Sequence, residues 1–377
     1  MFDVLFSVAI SFAITFLAIP VIITVAERKK LYDIPDERKV HQNPIPSLGG
    51  LGIFAGFIIA CLITIPFTGT SDFQYFFAAA FVIFFLGLKD DILVISPIKK
   101  FIGQVLAAFL IVYKGNVQIS SMHGFLGIYE LPEMFSLLFT YLTIIVIVNS
   151  FNLIDGIDGL AGSLGMMATT VFGFYFLAVQ MPAYAVMSFS LAGSLAAFLL
   201  FNFQPAKIFM GDTGSMLIGL INAILVIRLI NVADMPDVAF PLKAAPAVGF
   251  AILMVPLLDT LRVFAIRMLH GRSPFSPDRN HIHHLLLDKG LSHRSITITL
   301  VSVNICCILA AYAGREILGC TWMILAIGTI FFSGIAFLYY NRRRTRPRLF
   351  VAKTAEADKS TSKIVPLTQD TILEQKN

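Results

Sequence analysis

The sequence predicts an all-α polytopic membrane protein with about eleven transmembrane helices, an outer N-terminus and a cytoplasmic C-terminus. Three observations lead to this prediction. Of the 377 residues, 57% are hydrophobic and only 14% are charged, whereas a soluble domain carries about 25% charged residues. The apolar residues form runs of helical length, which excludes a barrel of alternating ten-residue strands. The basic residues fall almost entirely in alternate loops.

The apolar runs define the spans, most of them near the about 20 residues that cross a bilayer. They lie near residues 2–26, 48–68, 73–88, 98–114, 134–150, 161–180, 183–201, 213–231, 244–268, 294–313 and 318–340. Together they form one integral membrane domain, residues 1–340. Residues 341–377 begin with five arginines and then become polar, which predicts a basic, then disordered, cytoplasmic tail. The outer loop near 115–133 has β-like pieces and predicts a hairpin.

The basic residues decide the orientation. If the loop after the first span is inside, every Lys and Arg lies on the inner side except Lys114, Arg228, Lys243 and Arg315. The positive-inside rule then places that side in the cytoplasm. The four cysteines form no CxxC pair, so neither a zinc site nor a disulfide framework is indicated.

Five groups of unusual polar residues lie at the inner ends of spans, although none was used to set the orientation. Asp90 and Asp91 close the third span. Adjacent carboxylates repel each other, and a divalent cation with a phosphate relieves that repulsion. A solvated loop pair is the alternative. Lys99 and Lys100 follow, and either hold a phosphate or extend toward water.

The strongest motif follows the fifth span. Asn149, Asn152, Asp155 and Asp158 recur every three residues, so we expect successive members to be neighbours on a helix. Gly156 and Gly159 would loosen that helix where the backbone approaches a ligand. Two carboxylates and two amides beside an apolar run indicate function, with an interface turn as the alternative.

Asp212 lies in a Gly-Asp-Thr-Gly-Ser segment that enters the eighth span. It is either an ordinary N-cap or a metal ligand, with the helix N-terminus facing an anion. In the ninth span, Asp259 and Arg262 stand three residues apart. An intramembrane charge indicates function, and an ion pair within the helix is the structural alternative.

The long inner loop carries Arg279, His281, His283 and His284. These residue types suit the recognition of anions and sugar hydroxyls. A zinc site is a weaker interpretation, because the loop has no Cys and its spacing differs from that of common ligand pairs. A solvated loop is the third interpretation.

In these residues the chain resembles the polyprenyl-phosphate N-acetylhexosamine-1-phosphate transferase superfamily, glycosyltransferase family 4. The resemblance runs over roughly residues 30–295 and is carried by Asp33–His41, Pro46–Gly50, Asp90–Asp91, Asn149–Gly159, Gly211–Ser215 and His281–His284. His-Ile-His-His is similar to the bacterial undecaprenyl-phosphate GlcNAc-1-phosphate transferase branch, which primes O-antigen, common antigen or teichoic acid synthesis. The phospho-MurNAc-pentapeptide transferase branch, which usually has three consecutive histidines, is the alternative.

The resemblance implies Mg²⁺-dependent transfer of GlcNAc-1-phosphate from UDP-GlcNAc to undecaprenyl phosphate, with release of UMP, at the cytoplasmic face of the bacterial inner membrane. Mn²⁺ is an alternative metal. It implies Asn152 and Asp212 as metal ligands, and Asp90, Asp91, Asp155 and Asp158 as the catalytic carboxylates. The substrate-binding residues it implies are Lys100, Asn149, Arg279, His281, His283 and His284.

The competing class is a secondary transporter, which would place its charges near the bilayer centre on broken, repeated helices. We see no internal repeat, and the acidic groups gather at one interface, which favours an enzyme. A metal permease that uses the histidine loop is a third option. No feature predicts a nucleic-acid partner, whereas membrane lipid is an expected one. A homodimer and the identity of the UDP-amino sugar stay open.

Overall fold

The computed structural model describes residues 1–29, 31–33, 45–66, 72–233, 235, 239–273 and 280–340. Over these residues the chain forms thirteen α-helices and two small antiparallel sheets. The helices are α1 Phe2–Lys29, α2 Gly49–Thr64, α3 Asp72–Ile92, α4 Pro97–Phe109, α5 Glu133–Ile154, α6 Leu160–Ala178, α7 Pro182–Asn202, α8 Gly211–Val232, α9 Ala245–Ile252, α10 Met254–Leu269, α11 Ile282–Leu287, α12 His293–Gly314 and α13 Cys320–Tyr340. The strands are β1 Tyr32–Asp33, β2 Ile45–Pro46, β3 Ser121–Phe125 and β4 Ile128–Glu130.

Each predicted span contains at least one helix, which confirms an all-α polytopic membrane protein. Among the described residues, seven helices are long and apolar enough to cross a membrane, and α9 with α10 makes an eighth as a bent pair. α2 has 16 residues, and α4 has 13 residues followed by a π-helical turn, Leu110–Lys114. The number of spans and the direction of the chain stay predictions. The predicted tail, residues 341–377, lies outside the described residues.

α8 is the central helix of the bundle. Of its 18 most apolar consecutive residues, 89% are buried inside the protein, against 17% for α1. It packs against α2, α3, α5 and α6. Glycines allow this close approach: a Cβ placed on Gly87 would lie 2.5 Å from the Cα of Thr213, and one on Gly219 would lie 2.6 Å from the Cα of Val148. The first turn of α8 is therefore held between several helix ends.

The ninth predicted span is not one straight helix. We expect a continuous span over 244–268, but α9 and α10 meet at an angle of 83°. The buried amide of Asn304, on α12, satisfies the broken backbone: its Oδ1 accepts from the Val255 amide (3.0 Å), and its Nδ2 donates to the carbonyls of Ala251 and Ile252 (3.1 Å each). Broken helices persist in apolar surroundings only where such partners replace the lost hydrogen bonds.

The hairpin predicted near 115–133 is present, with its first strand at Ser121–Phe125 rather than near residue 117. Its turn contacts α13, because the Leu126 amide donates to the Thr321 hydroxyl at 2.7 Å. A second sheet, which the sequence analysis does not predict, pairs β1 with β2. That sheet precedes α2, and its second strand leads into the site described next.

Candidate active site

Polar side chains from four helix ends meet around Lys100, on the first turn of α4. The Lys100 ammonium lies 2.5 Å from Asp90 Oδ2, at the end of α3, and also contacts Asp212 Oδ2, on the first turn of α8. Asn152, near the end of α5, donates to Asp212 Oδ1 at 2.9 Å and to the Ser215 hydroxyl at 3.1 Å. Asp90 and Asp212, 122 positions apart along the chain, thus share one site. Ser215 belongs to the Gly211–Ser215 motif, but sequence reasoning assigned it no role of its own.


The two adjacent carboxylates of α3 have different partners. Asp90 Oδ1 accepts from the Ile95 amide at 2.7 Å, while its Oδ2 faces Lys100. Asp91 instead turns toward the start of α8. It accepts from the amides of Asp212 (2.7 Å) and Thr213 (3.1 Å) and from the Thr213 hydroxyl (2.6 Å). Asp90 therefore belongs to the cluster around Lys100, and Asp91 caps a neighbouring helix.

This cap corrects the expectations for the start of α8. Asp212 is not an N-cap, because α8 begins at Gly211 and the Asp212 carboxylate contacts Lys100 and Asn152. The anion that faces the helix N-terminus is the carboxylate of Asp91. Gly211 has a φ of +73°, and a Cβ there would lie 2.7 Å from both Asp91 carboxylate oxygens. A residue with a side chain would strain the backbone and displace the cap.

The Pro46–Gly50 segment supports the loop that leads into α8. The Phe209 amide donates to the Pro46 carbonyl at 2.7 Å, and the amides of Gly49 and Gly50 donate to the carbonyls of Phe209 (2.9 Å) and Met210 (2.8 Å). These backbone bonds fix the position from which Asp212 extends. Asp33 lies in β1, and the rest of the Asp33–His41 motif falls at residues 34–41, outside the described residues.

Asn149 lies one helical turn before Asn152 and forms an amide pair with Gln104 of α4. Its Nδ2 donates to Gln104 Oε1 at 2.8 Å, and Gln104 Nε2 donates back to Asn149 Oδ1 at 3.4 Å. Gln104 is buried and lies one turn after Lys100. The pair joins α4 to α5 and thereby aligns Lys100 with Asn152. Sequence reasoning missed Gln104, although a glutamine inside an apolar run is the signal that points to it.

Only the first half of the Asn149–Asp158 motif is helical. α5 ends at Ile154, so the expectation that Asp155 and Asp158 continue the same helical face is wrong. The turn that follows contains Gly159 at a φ of +76°. Burial, together with the charges of Asp212, Asp91 and Asp158, raises the pKa of Asp155 to about 8. Asp155 therefore lies within the electrostatic reach of the acidic cluster.

Asp158 has a different environment from Asp155. Its carboxylate accepts from the Ala206 amide at 3.2 Å and lies 3.3 Å from His293 Nδ1, and the residue is 3% exposed. Nearby, Asn202 accepts from the Gly159 amide at 2.9 Å. Asp158 and Asn202 thus hold the turn between α5 and α6 against its neighbours. Sequence reasoning missed Asn202 and His293, which stand at helix ends without a recognisable motif.

The histidine segment, residues 281–284, packs onto the turn between α5 and α6. His283 is 1% exposed, and a Cβ on Gly156 would collide with its imidazole. Burial and the neighbouring His284 lower the pKa of His283 to about 3. The rings of His281 and His283 stack with centroids 5.7 Å apart, and His284 is 4.3 Å from His283. Three of the four predicted loop residues thus lie together beside Asp155. The fourth, Arg279, lies outside the described residues.

The donor atoms at the Lys100 cluster suit a magnesium ion. Among the described residues, no group of three or more His, Cys, Asp or Glu side chains is arranged to hold a metal alone. Mg²⁺ commonly uses one or two carboxylates and completes its shell with water and substrate phosphates. Asp90 and Asp212 are two carboxylates that share the single ammonium of Lys100. One positive charge does not balance two negative charges, so a further cation would be favourable here. The residues present therefore fit a Mg²⁺ ion whose shell is completed by substrate oxygens better than they fit a metal ion held by protein ligands alone.

Comparison with known proteins decides the family. The family model described as Glycosyl transferase family 4 matches residues 73–230. A decaprenyl-phosphate N-acetylglucosaminephosphotransferase of Mycobacterium tuberculosis is 36% identical over 311 residues, which are 76% of each chain. The protein belongs to glycosyl transferase family 4. The stretch that the family model matches includes Asp90, Lys100, Asn152 and Asp212, so every side chain around the ammonium lies in the family's common region.

Two further relatives of this family extend the match. The undecaprenyl-phosphate alpha-N-acetylglucosaminyl 1-phosphate transferase of Haemophilus influenzae is 31% identical over 347 residues, 90% of this chain and 95% of the relative. The probable undecaprenyl-phosphate N-acetylglucosaminyl 1-phosphate transferase of Bacillus subtilis is 31% identical over 303 residues, 79% of this chain and 82% of the relative. The likeness therefore extends well beyond the stretch that the family model covers.

Proposed function

We propose that the protein transfers GlcNAc-1-phosphate from UDP-GlcNAc to undecaprenyl phosphate and releases UMP, as the first membrane step of a cell-envelope polysaccharide pathway. One observation carries the proposal: Asp90, Lys100, Asn152 and Asp212 come from four different helix ends and meet in one cluster. Relatives at 31% identity over most of the chain bear the name of this transferase. The positive-inside rule supports a cytoplasmic site.

The reaction places two phosphate-bearing substrates side by side. An oxygen of the lipid phosphate attacks the sugar-bearing β-phosphorus of UDP-GlcNAc, the bond from that phosphorus to the bridging oxygen breaks, and UMP leaves with the electron pair. A polyprenyl phosphate is largely deprotonated near neutral pH, so positioning and charge stabilisation matter more than a strong base. Mg²⁺, when bound by Asp212 and Asn152, would neutralise charge on the diphosphate.

The chain's own residues divide the remaining tasks. Lys100 would turn its ammonium from the carboxylates to the diphosphate of the donor, because an anion of higher charge competes for the same cation. Asp90 would orient the lipid phosphate or accept its remaining proton. Asp91 positions Asp212 through the first turn of α8, and Asp155 would organise the turn beside the site. His281, His283 and His284, with Arg279, would engage the donor.

The test is a transfer assay with purified protein in detergent. We expect undecaprenyl phosphate, radiolabelled UDP-GlcNAc and Mg²⁺ to give labelled lipid and an equal amount of UMP, and we expect a chelator to stop the reaction. Asp90→Ala and Asp212→Ala should accumulate as folded protein and form no product. Asp3→Asn, an exposed acid on the first turn of α1, is the matched control and should keep full activity. Full activity in both cluster variants would reject the assigned roles.

The same assay separates the competing functions. Label transfer from UDP-MurNAc-pentapeptide but not from UDP-GlcNAc would identify the peptidoglycan branch instead. Uptake of substrate into proteoliposomes without formation of a lipid product would support a transporter. Replacement of UDP-GlcNAc by its epimers would settle which N-acetylhexosamine the site accepts, and activity with Mn²⁺ in place of Mg²⁺ would settle the choice of metal.

A further inference from the structure

A buried acid on α10, outside the cluster around Lys100, holds the histidine segment. Asp259 is fully buried. Its Oδ1 accepts from Arg262 Nη2 at 2.8 Å, which is the ion pair named above as the structural alternative, and also from the Ile282 amide at 2.9 Å. Its Oδ2 lies 2.8 Å from His281 Nδ1. One carboxylate therefore joins α10 to the start of α11.

Arg262 makes the same connection from the other side. Its Nη2 contacts the carbonyl of Asn280 in addition to Asp259. Three consecutive residues, Asn280, His281 and Ile282, are thus bound to the Asp259–Arg262 pair. A buried ion pair gains stability from further hydrogen bonds to its partners, and here the backbone of the histidine segment supplies one to Arg262 and one to Asp259. The ion pair is therefore more than an interaction within one helix.

The hydrogen bond to His281 determines which ring nitrogen is available. An ionised carboxylate can only accept, so Nδ1 of His281 donates to Asp259 and Nε2 is left for another ligand. His281 stacks on His283, which lies against Gly156 next to Asp155. A continuous series of contacts thus runs from α10 through two imidazoles to the turn beside the acidic cluster.

The position of Asp259 is itself fixed. α10 starts at the bend of 83°, and Asn304 of α12 binds backbone groups on both sides of that bend. The direction of α10, and with it the place of Asp259, depends on this amide. The histidine segment therefore has rigid support from inside the bundle, as a preorganised binding site requires.

We propose that Asp259 is a positioning residue, which holds His281 and the start of α11 in the orientation that engages the nucleotide-sugar donor. This inference rests on the proposed function, because it assigns the donor to the histidine segment. Asp259 acts through His281 rather than through contact with substrate. Its loss should weaken donor binding and leave binding of the lipid acceptor unchanged.

The test is a double-mutant cycle between Asp259→Asn and His281→Ala, with the KM of each substrate and kcat measured separately. We expect Asp259→Asn to raise the KM for UDP-GlcNAc about tenfold, the effect of losing one charge-assisted hydrogen bond, with the KM for undecaprenyl phosphate within about twofold of wild type. UMP binding by calorimetry should weaken by the same factor without turnover. The double variant should be no worse than His281→Ala alone.

One control variant and one substitute variant complete the test. Glu316→Gln removes a carboxylate from the exposed Lys243–Glu316 pair and should change neither KM. If Asp259→Asn does not accumulate as folded protein, Arg262→Lys takes its place, because it loses the guanidinium that bridges Asp259 and Asn280. It too should raise the donor KM alone.

Several results would overturn the inference. A donor KM within about twofold of wild type in Asp259→Asn, or in Arg262→Lys where that variant takes its place, would remove the positioning role. Effects of Asp259→Asn and His281→Ala that multiply in the double variant would show that Asp259 does not act through His281. Wild-type protein that neither binds UMP nor uses UDP-GlcNAc would instead defeat the proposed function, and this inference with it.

Discussion

Asp90 and Asp91 are neighbours in sequence, yet we expect their amide variants to fail in different ways. Asp91 accepts three hydrogen bonds from the first turn of α8 at 2.6–3.1 Å. In Asp91→Asn one accepting oxygen becomes an NH₂ group that faces donors. A hydrogen bond to a charged group contributes about 1.5–3 kcal/mol, and a negative charge at a partly buried helix N-terminus contributes up to about 2 kcal/mol. We expect a loss of about 3 kcal/mol in the free energy of unfolding.

Asp90→Asn should behave in the opposite manner. Its Oδ1 keeps the hydrogen bond from Ile95, and Lys100 keeps Asp212 as a partner. The loss of one carboxylate from a partly exposed pair should change the free energy of unfolding by less than about 1 kcal/mol. The site, however, loses half of the negative charge that faces Lys100. We therefore expect stable protein with no measurable transfer.

Reversible unfolding in mixed micelles, followed for both variants under identical conditions, measures the difference. The transfer assay on the same preparations measures activity. Asp91→Asn as stable as wild type would refute the capping argument. Equal destabilisation of the two variants would show that the pair acts as a unit, contrary to the separate hydrogen bonds on which this reasoning depends.

Three more predictions concern His283, its neighbour Gly156, and Asn304. Burial lowers the pKa of His283 from 6.5 to about 3, so the unfolded chain binds more protons than the folded chain between about pH 6.5 and pH 3. Acidification below that value should reduce the free energy of unfolding by up to about 1.4 kcal/mol per pH unit, and His283→Gln should flatten this slope in denaturation curves. Gly156→Ala should push the His283 ring away and raise the KM for UDP-GlcNAc, whereas Gly328→Ala, with open space around it, should leave the KM unchanged. Asn304→Leu should cost about 2–3 kcal/mol of unfolding free energy, because three backbone groups at the helix bend lose their partner; a smaller loss than 1 kcal/mol would contradict that role.

Much of the fold was predictable, because apolar runs of helical length predict membrane spans and basic loops predict their orientation. Each run contains a helix, and Asp90, Asn152 and Asp212 meet as their common side of the bundle suggested. The bend at Leu253 was missed because hydropathy shows where a helix crosses the membrane and not where it changes direction, although Pro256, just after the bend, is a local signal for a kink. The partner that stabilises it, Asn304, lies 49 residues after Val255.

The roles within a motif were harder to predict than the motif itself. The sequence groups Asp91 with Asp90 and Asp158 with Asp155, but the two members of each pair have different partners in the structure. Asp91 caps α8 and Asp158 binds the Ala206 amide, and both of those partners lie far away in sequence. No local pattern contains this information, because it depends on how the helix ends meet in space.

The dependence of α8 on Asp91 has a consequence for biosynthesis. The atoms that this carboxylate caps are 121 residues further along the chain. At about 5–20 residues per second, the ribosome needs about 6 to 24 s to make them. During that interval the acid must stay hydrated at the membrane surface or be shielded by the insertion machinery. The end of α3 therefore cannot reach its final packing until α8 has been synthesised.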